Sequence, residues 1–179
     1  MTTKLKIEHR GRFKPDTLTL IGSLVASCGI IERCLYNGLY WIKKRERPFE
    51  APIPDAFARR NKLWLDQIQK LRGADSPHGR VAADLYRKTA NLFEIRHSIV
   101  HSVWLGQDDA GILHLNQVRD RKEGSLVREL FYPMSDLLRV ASVANDLHEK
   151  HMEFLHRDIM CLELDDAGKL IRPDFSEII

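Results

Sequence analysis

Three features of the sequence predict a mainly α protein. Apolar residues recur at three- and four-residue spacing over long stretches. Proline and glycine punctuate the intervals between those stretches. One interval, residues 112–131, shortens to strand-like runs around a Lys-Glu-Gly-Ser break. The expected class is an antiparallel helical bundle of four long helices, with a β-hairpin inserted between the third and fourth helices and a short C-terminal hairpin. The domain reading is an N-terminal arm over residues 1–14, a bundle over 15–160, and a tail over 161–179.

Taken in order, Pro15-Asp16 reads as a helix start with Asp16 as N-cap. The first helix is expected from Thr17 to Trp41, and Pro48 stops its continuation. Gly22, Ala26 and Gly29 share one face and would let another helix approach closely. The proline-bearing FEAPIPD leads to a second helix, Ala56 to Leu71, with Leu63, Trp64, Ile68 and Leu71 on its apolar side. Gly73 to Gly79 reads as a loop, followed by a third helix from Arg80 to Val103. The hairpin runs over 112–131 with its turn at Glu123-Gly124. Ser135 is the expected N-cap of a fourth helix reaching Ile159, and CLELDDAGKLIRPDF reads as the second hairpin. Asp-Asp-Ala-Gly occurs at 108–111 and at 165–168, each an acidic turn ending in a glycine free to take positive φ.

Bulk composition narrows the function classes. The 179 residues are 44% hydrophobic and 30% charged, enough for a core and a well-solvated surface. A net charge of +3 permits a nucleic-acid partner without requiring one. The basic runs Lys43-Lys44-Arg45-Glu46-Arg47 and Arg59-Arg60-Asn61-Lys62 read as solvated faces or as an RNA-phosphate surface. Three cysteines without C-x-x-C spacing argue against a disulfide framework or a zinc knuckle and fit a cytoplasmic location. The N-terminus lacks the apolar run of a signal peptide. The uncharged run 17–31 is shorter than the roughly 20 residues of a spanning helix, so a buried helix and no membrane is the expectation. P-loop, dinucleotide-fold and nucleophile-elbow motifs are all missing from the sequence.

The segment FEIRHSIVHSVW, residues 93–104, carries the chemistry. On a helical wheel Leu92, Ile95, Ile99 and Val103 form one apolar line, and Phe93, Val100 and Trp104 form a second. Arg96 falls between the two. An unpaired buried guanidinium costs several kcal/mol, so Arg96 needs an acid such as Glu32, Asp66 or Asp84, or a place where molecules meet. His97 and His101 lie together at one margin with Glu94. Zinc accepts H-x-x-x-H spacing, but Ser98 stands where a zinc peptidase has its glutamate and no third ligand is near in sequence. No metal and no cofactor is expected.

The run Arg96-His97-Ser98-Ile99-Val100-His101 resembles the Arg-polar-x-x-x-His motif of HEPN domains, and the likeness covers roughly residues 17–160. The family commonly has Asn after the arginine, where this chain has His97. The resemblance implies a compact helical homodimer in which the motifs of both protomers meet and cut RNA without a metal. Arg96 and His101 would then be the catalytic pair and His97 the polar accessory. The chemistry is coherent: a histidine moves protons near neutral pH, an arginine binds phosphate, and the RNA 2′-OH is the nucleophile. A 2′,3′-cyclic phosphate and a 5′-hydroxyl would result. The alternative within the same fold is a non-catalytic module that binds RNA, a nucleotide or a protein, or that only dimerises. A toxin or defence role, with a neutralising partner protein, belongs to the same set of expectations.

Further candidates lie outside the motif. His148 and His151 fall near one stripe of the fourth helix, as core hydrogen-bonding residues or as contributors to the cleft of His101. Arg119, Arg121 and Lys122 on the hairpin are a candidate RNA-contacting arm or a charge-protected edge.

Overall fold

The computed structural model describes residues 12–45, 52–121 and 124–159, with Arg45, 119–121 and 124–126 described by backbone alone. The chain is mainly helical with a small antiparallel sheet. Its elements are helices α1 (Pro15–Arg45), α2 (Phe57–Arg72) and α3 (Pro77–Val100), strands β1 (Val103–Gln107), β2 (Leu113–Arg121) and β3 (Gly124–Tyr132), helix α4 (Met134–Phe154), and a π-helical turn (Leu155–Ile159).

Several boundaries differ from expectation for identifiable reasons. Pro15 is the first helical residue of α1, so Asp16 lies within the first turn and not at the cap. Proline suits that position because the missing N–H would have no intrahelical acceptor. Pro77 opens α3 in the same way, three residues before the expected start. Ser76 Oγ accepts a hydrogen bond from Gly79 N at 2.9 Å, which caps the helix. Ser135 lies inside α4, whose first turn hangs on the Pro133 carbonyl instead. The C-terminal hairpin and the second Asp-Asp-Ala-Gly lie outside the described residues.

Along α1, Ile21, Leu24, Cys28, Ile31, Leu35, Leu39 and Ile42 are 6% exposed or less, the three- and four-residue recurrence of a core face. This helix is longer than the uncharged run within it. By length and composition Pro15–Lys44 would pass as a membrane span, with mean hydropathy 1.6. Gly22 and Gly29 have nothing within 4 Å of a Cβ position, so the expected close helix approach at this stripe is not made.

The chain clusters into two compact units. One joins the chain up to Ala26 with Leu92–Asn145, and the other joins Ser27–Asn91 with the chain from Asp146 onward. In the first unit the sheet has order β1-β2-β3. Strand β1 differs from the expectation that α3 reaches Val103: the helix ends at Val100 and Val103 opens the strand. This strand pairs antiparallel with β2 through a bulge between Trp104 and Gly106, where Gly106 has φ 128°. Strands β2 and β3 pair from Leu113↔Tyr132 to Arg121↔Gly124, so Gly124 is a strand residue and not the turn. Leu113 and Leu115 alternate inward and are fully buried. Buried Gln107 ties the sheet to α1: its Oε1 accepts from Lys14 N at 3.0 Å and Thr17 Oγ1 at 2.9 Å, and its Nε2 donates to Gly111 O at 2.7 Å. Gly111 closes the expected acidic turn at φ 81°.

The second unit packs around Trp64, which is 2% exposed. Its ring centroid lies 5.4 Å from that of Phe154 in an edge-on contact and 5.5 Å from the His151 ring. A Cβ on Gly38 would sit 3.1 Å from Trp64 Nε1, so this glycine makes room for the indole.

Candidate functional site

The motif occupies the last turn of α3 and the turn after it. Leu92, Phe93 and Ile99 are 8% exposed or less and anchor the helix. The helix ends at Val100, yet His101 N still donates to His97 O at 3.0 Å. That bond extends the helical spacing one residue further, so the two imidazoles lie side by side. Their centroids are 4.5 Å apart with planes tilted by 41°. Both histidines are exposed, as is Glu94. Trp104 Nε1 donates to Ile99 O at 2.7 Å and satisfies a carbonyl that the ended helix leaves open. Ser102 Oγ donates to Ser98 O, and Gln117 Nε2 reaches Ser98 Oγ at 3.4 Å.

Arg96 is half-buried, and its Nε is buried with no hydrogen-bond partner. Each of the three expected acids has a cation of its own. Glu32 is 3.7 Å from Arg60. Asp66 binds Lys62, and Asp84 binds Arg87 at 2.8 Å and Lys88 at 2.6 Å. Among the described residues no ion pair is recorded for Arg96. A permanently charged guanidinium therefore sits part-buried on the same helix end as the two exposed imidazoles, with no ion pair among the described residues.

No family model, curated protein or solved structure matches this chain.

His151 is 2% exposed, and burial pushes its imidazole down to about 4. It is hydrogen-bonded to Thr89 and does not line an open cleft. His148 is half-buried with its Nδ1 buried and unpartnered. Both histidines fall in the second unit and the motif in the first. Arg119 and Arg121 lie in β2 opposite Leu126 and Gly124, and Lys122 lies outside the described residues. Among the described residues no group of three or more His, Cys, Asp or Glu side chains is placed to hold a metal ion.

Two histidine–carboxylate pairs escaped the sequence. His114 Nε2 lies 2.9 Å from Asp108 Oδ2, and this hydrogen bond is the main reason that the Asp108 carboxyl is held below its usual range. His78 Nε2 lies 3.1 Å from buried Asp158 Oδ1. The first pair depends on the β1–β2 turn and the second on a π-helical turn, neither of which has a spacing signature.

Proposed function

We propose that this chain is a HEPN-like, metal-independent endoribonuclease acting as a cytoplasmic homodimer on RNA. The observation that carries the reading is Arg96, a half-buried guanidinium without an acidic partner among the described residues, one position from His97 and five positions before His101 in the chain. Burying such a charge unpaired costs stability, and a phosphate ligand would offset that cost.

In the proposed reaction the RNA 2′-OH gives its proton to an imidazole as the O2′–P bond forms. The P–O5′ bond breaks, and O5′ takes a proton from a second imidazolium. Arg96 binds the non-bridging phosphate oxygens and stabilises the charge that builds on them. His101 is the assigned proton-transfer group, His97 supports it, and the partner protomer supplies the second set. The products are a 2′,3′-cyclic phosphate and a 5′-hydroxyl.

The test is cleavage of diverse RNAs in EDTA by the wild type and by His101→Ala, with oligomeric state measured alongside. Cleavage by the wild type that disappears in a still-dimeric variant supports the enzyme. Absence of cleavage across all RNAs favours the non-catalytic module. A metal requirement, or a strictly monomeric active enzyme, overturns the composite mechanism.

A further inference from the structure

We propose that an open groove lined by α3 and α4 residues of the second unit binds a small organic anion, a phosphate or carboxylate headgroup on an apolar body. The groove measures about 340 Å³, within the roughly 300–1,000 Å³ of small-molecule sites. Val81, Leu85 and Phe154 supply its apolar lining. Leu85 and Phe154 are each 3% exposed and fixed in the core, whereas Val81 is 45% exposed and offers the accessible apolar surface.

Charge on the rim is unevenly compensated. The Asp84 carboxylate is taken by Lys88 and Arg87. Glu153 accepts from Arg157 Nη1 at 2.8 Å, and the other side of that guanidinium binds buried Asp158 at 3.1 Å. Arg157 belongs to the π-helical turn, a rare element that recurs at functional sites. Its two acids hold it as groove wall and occupy its charge. Arg80 and Lys150 are different. Among the described residues, the Arg80 side chain donates to the main-chain oxygen of Asp75 and makes no ion pair, and Lys150 makes none either. Two cations without an ion pair among the described residues therefore border an apolar lining. That combination selects an anionic head with an apolar body, since a bare anion would leave the lining unused and a neutral body would leave the cations unused. The volume limits the occupant to a small molecule.

The inference does not depend on the ribonuclease reading. Calorimetric titration of the full chain with phenyl phosphate and with phenylacetate tests it, with inorganic phosphate and benzyl alcohol as controls. The expected result is saturable binding of at least one aromatic anion, with the tighter of the two identifying the headgroup. Arg80→Glu and Lys150→Glu should each weaken that binding at least tenfold, and Val81→Trp should abolish it by filling the groove, with thermal melts confirming that each variant is folded. The proposal is overturned if neither probe binds, if folded variants bind as tightly as wild type, or if inorganic phosphate or benzyl alcohol binds equally well.

Discussion

His151 Nε2 lies 2.8 Å from Thr89 Oγ1, and both residues are almost wholly buried. Burial holds the imidazole neutral, with its protonation pushed down to about 4 from the ordinary 6.5. The unfolded chain takes up this proton at higher pH than the folded one. The resulting stability is therefore complete above about pH 6.5 and is lost as pH falls towards 4, by up to about 3 kcal/mol. Urea unfolding at pH 7.0, 5.5 and 4.0 should show this decline, and His151→Gln should flatten it. An equally steep decline in the variant would place the acid sensitivity elsewhere.

Glycine-to-alanine changes should have opposite signs at two positions. At Gly79 a Cβ would lie within contact distance of Gly73 O and 2.6 Å from Ala74 O, both backbone atoms that cannot swing away. Gly79→Ala should cost about 1–3 kcal/mol. At Gly22 a Cβ meets nothing within 4 Å on an exposed helical face. Gly22→Ala should stabilise by about 0.5–1 kcal/mol. Thermal melts of the two variants give the comparison directly.

Gln107 supports three segments at once through Lys14, Thr17 and Gly111. Leucine at this position keeps most of the volume but leaves buried donors and an acceptor without partners. Gln107→Leu should cost about 2–3 kcal/mol. Hydrogen exchange should rise first in β1 and the start of α1, and a variant as stable as wild type would contradict the anchoring role.

Arg96→Met separates folding from activity. With no ion pair recorded among the described residues, the guanidinium contributes a desolvation cost to the fold. The variant should be as stable as wild type or more stable by about 1–2 kcal/mol, while any RNA cleavage falls by roughly 100-fold or more. A strongly destabilised Arg96→Met would show instead that the arginine is a structural partner.

The helical character of the chain was legible because each helix repeats its apolar spacing over several turns. The end of α3 was not. Val103 continues the apolar line of Leu92, Ile95 and Ile99, so the wheel extends smoothly through it. The chain nevertheless leaves the helix at Val100, because β1 finds its partner in β2 by a tertiary pairing that local periodicity does not encode. The same limit applies to the site. Helical spacing alone places His97 and His101 on one margin, where their rings do lie side by side, and sets Arg96 apart in the apolar arc. The ion pairs of Glu32, Asp66 and Asp84 with Arg60, Lys62, Arg87 and Lys88 are not legible in that spacing. Which acid meets which base is decided by packing between elements, and a single sequence carries little of that.

The indole of Trp104 has a role beyond apolar filling. By donating to Ile99 O it acts as a stopper on the open end of α3, and its edge-on contact with Phe13, at 5.3 Å between centroids, braces it from the other side. The last carbonyls of a helix fray when left to water. The alignment of the His97 and His101 rings is thus set partly by a side chain from the following strand. Phenylalanine there would keep the ring and lose the N–H, leaving the two imidazoles on a loosened turn, and the emission of Trp104 itself offers an optical gauge of whether that end is closed.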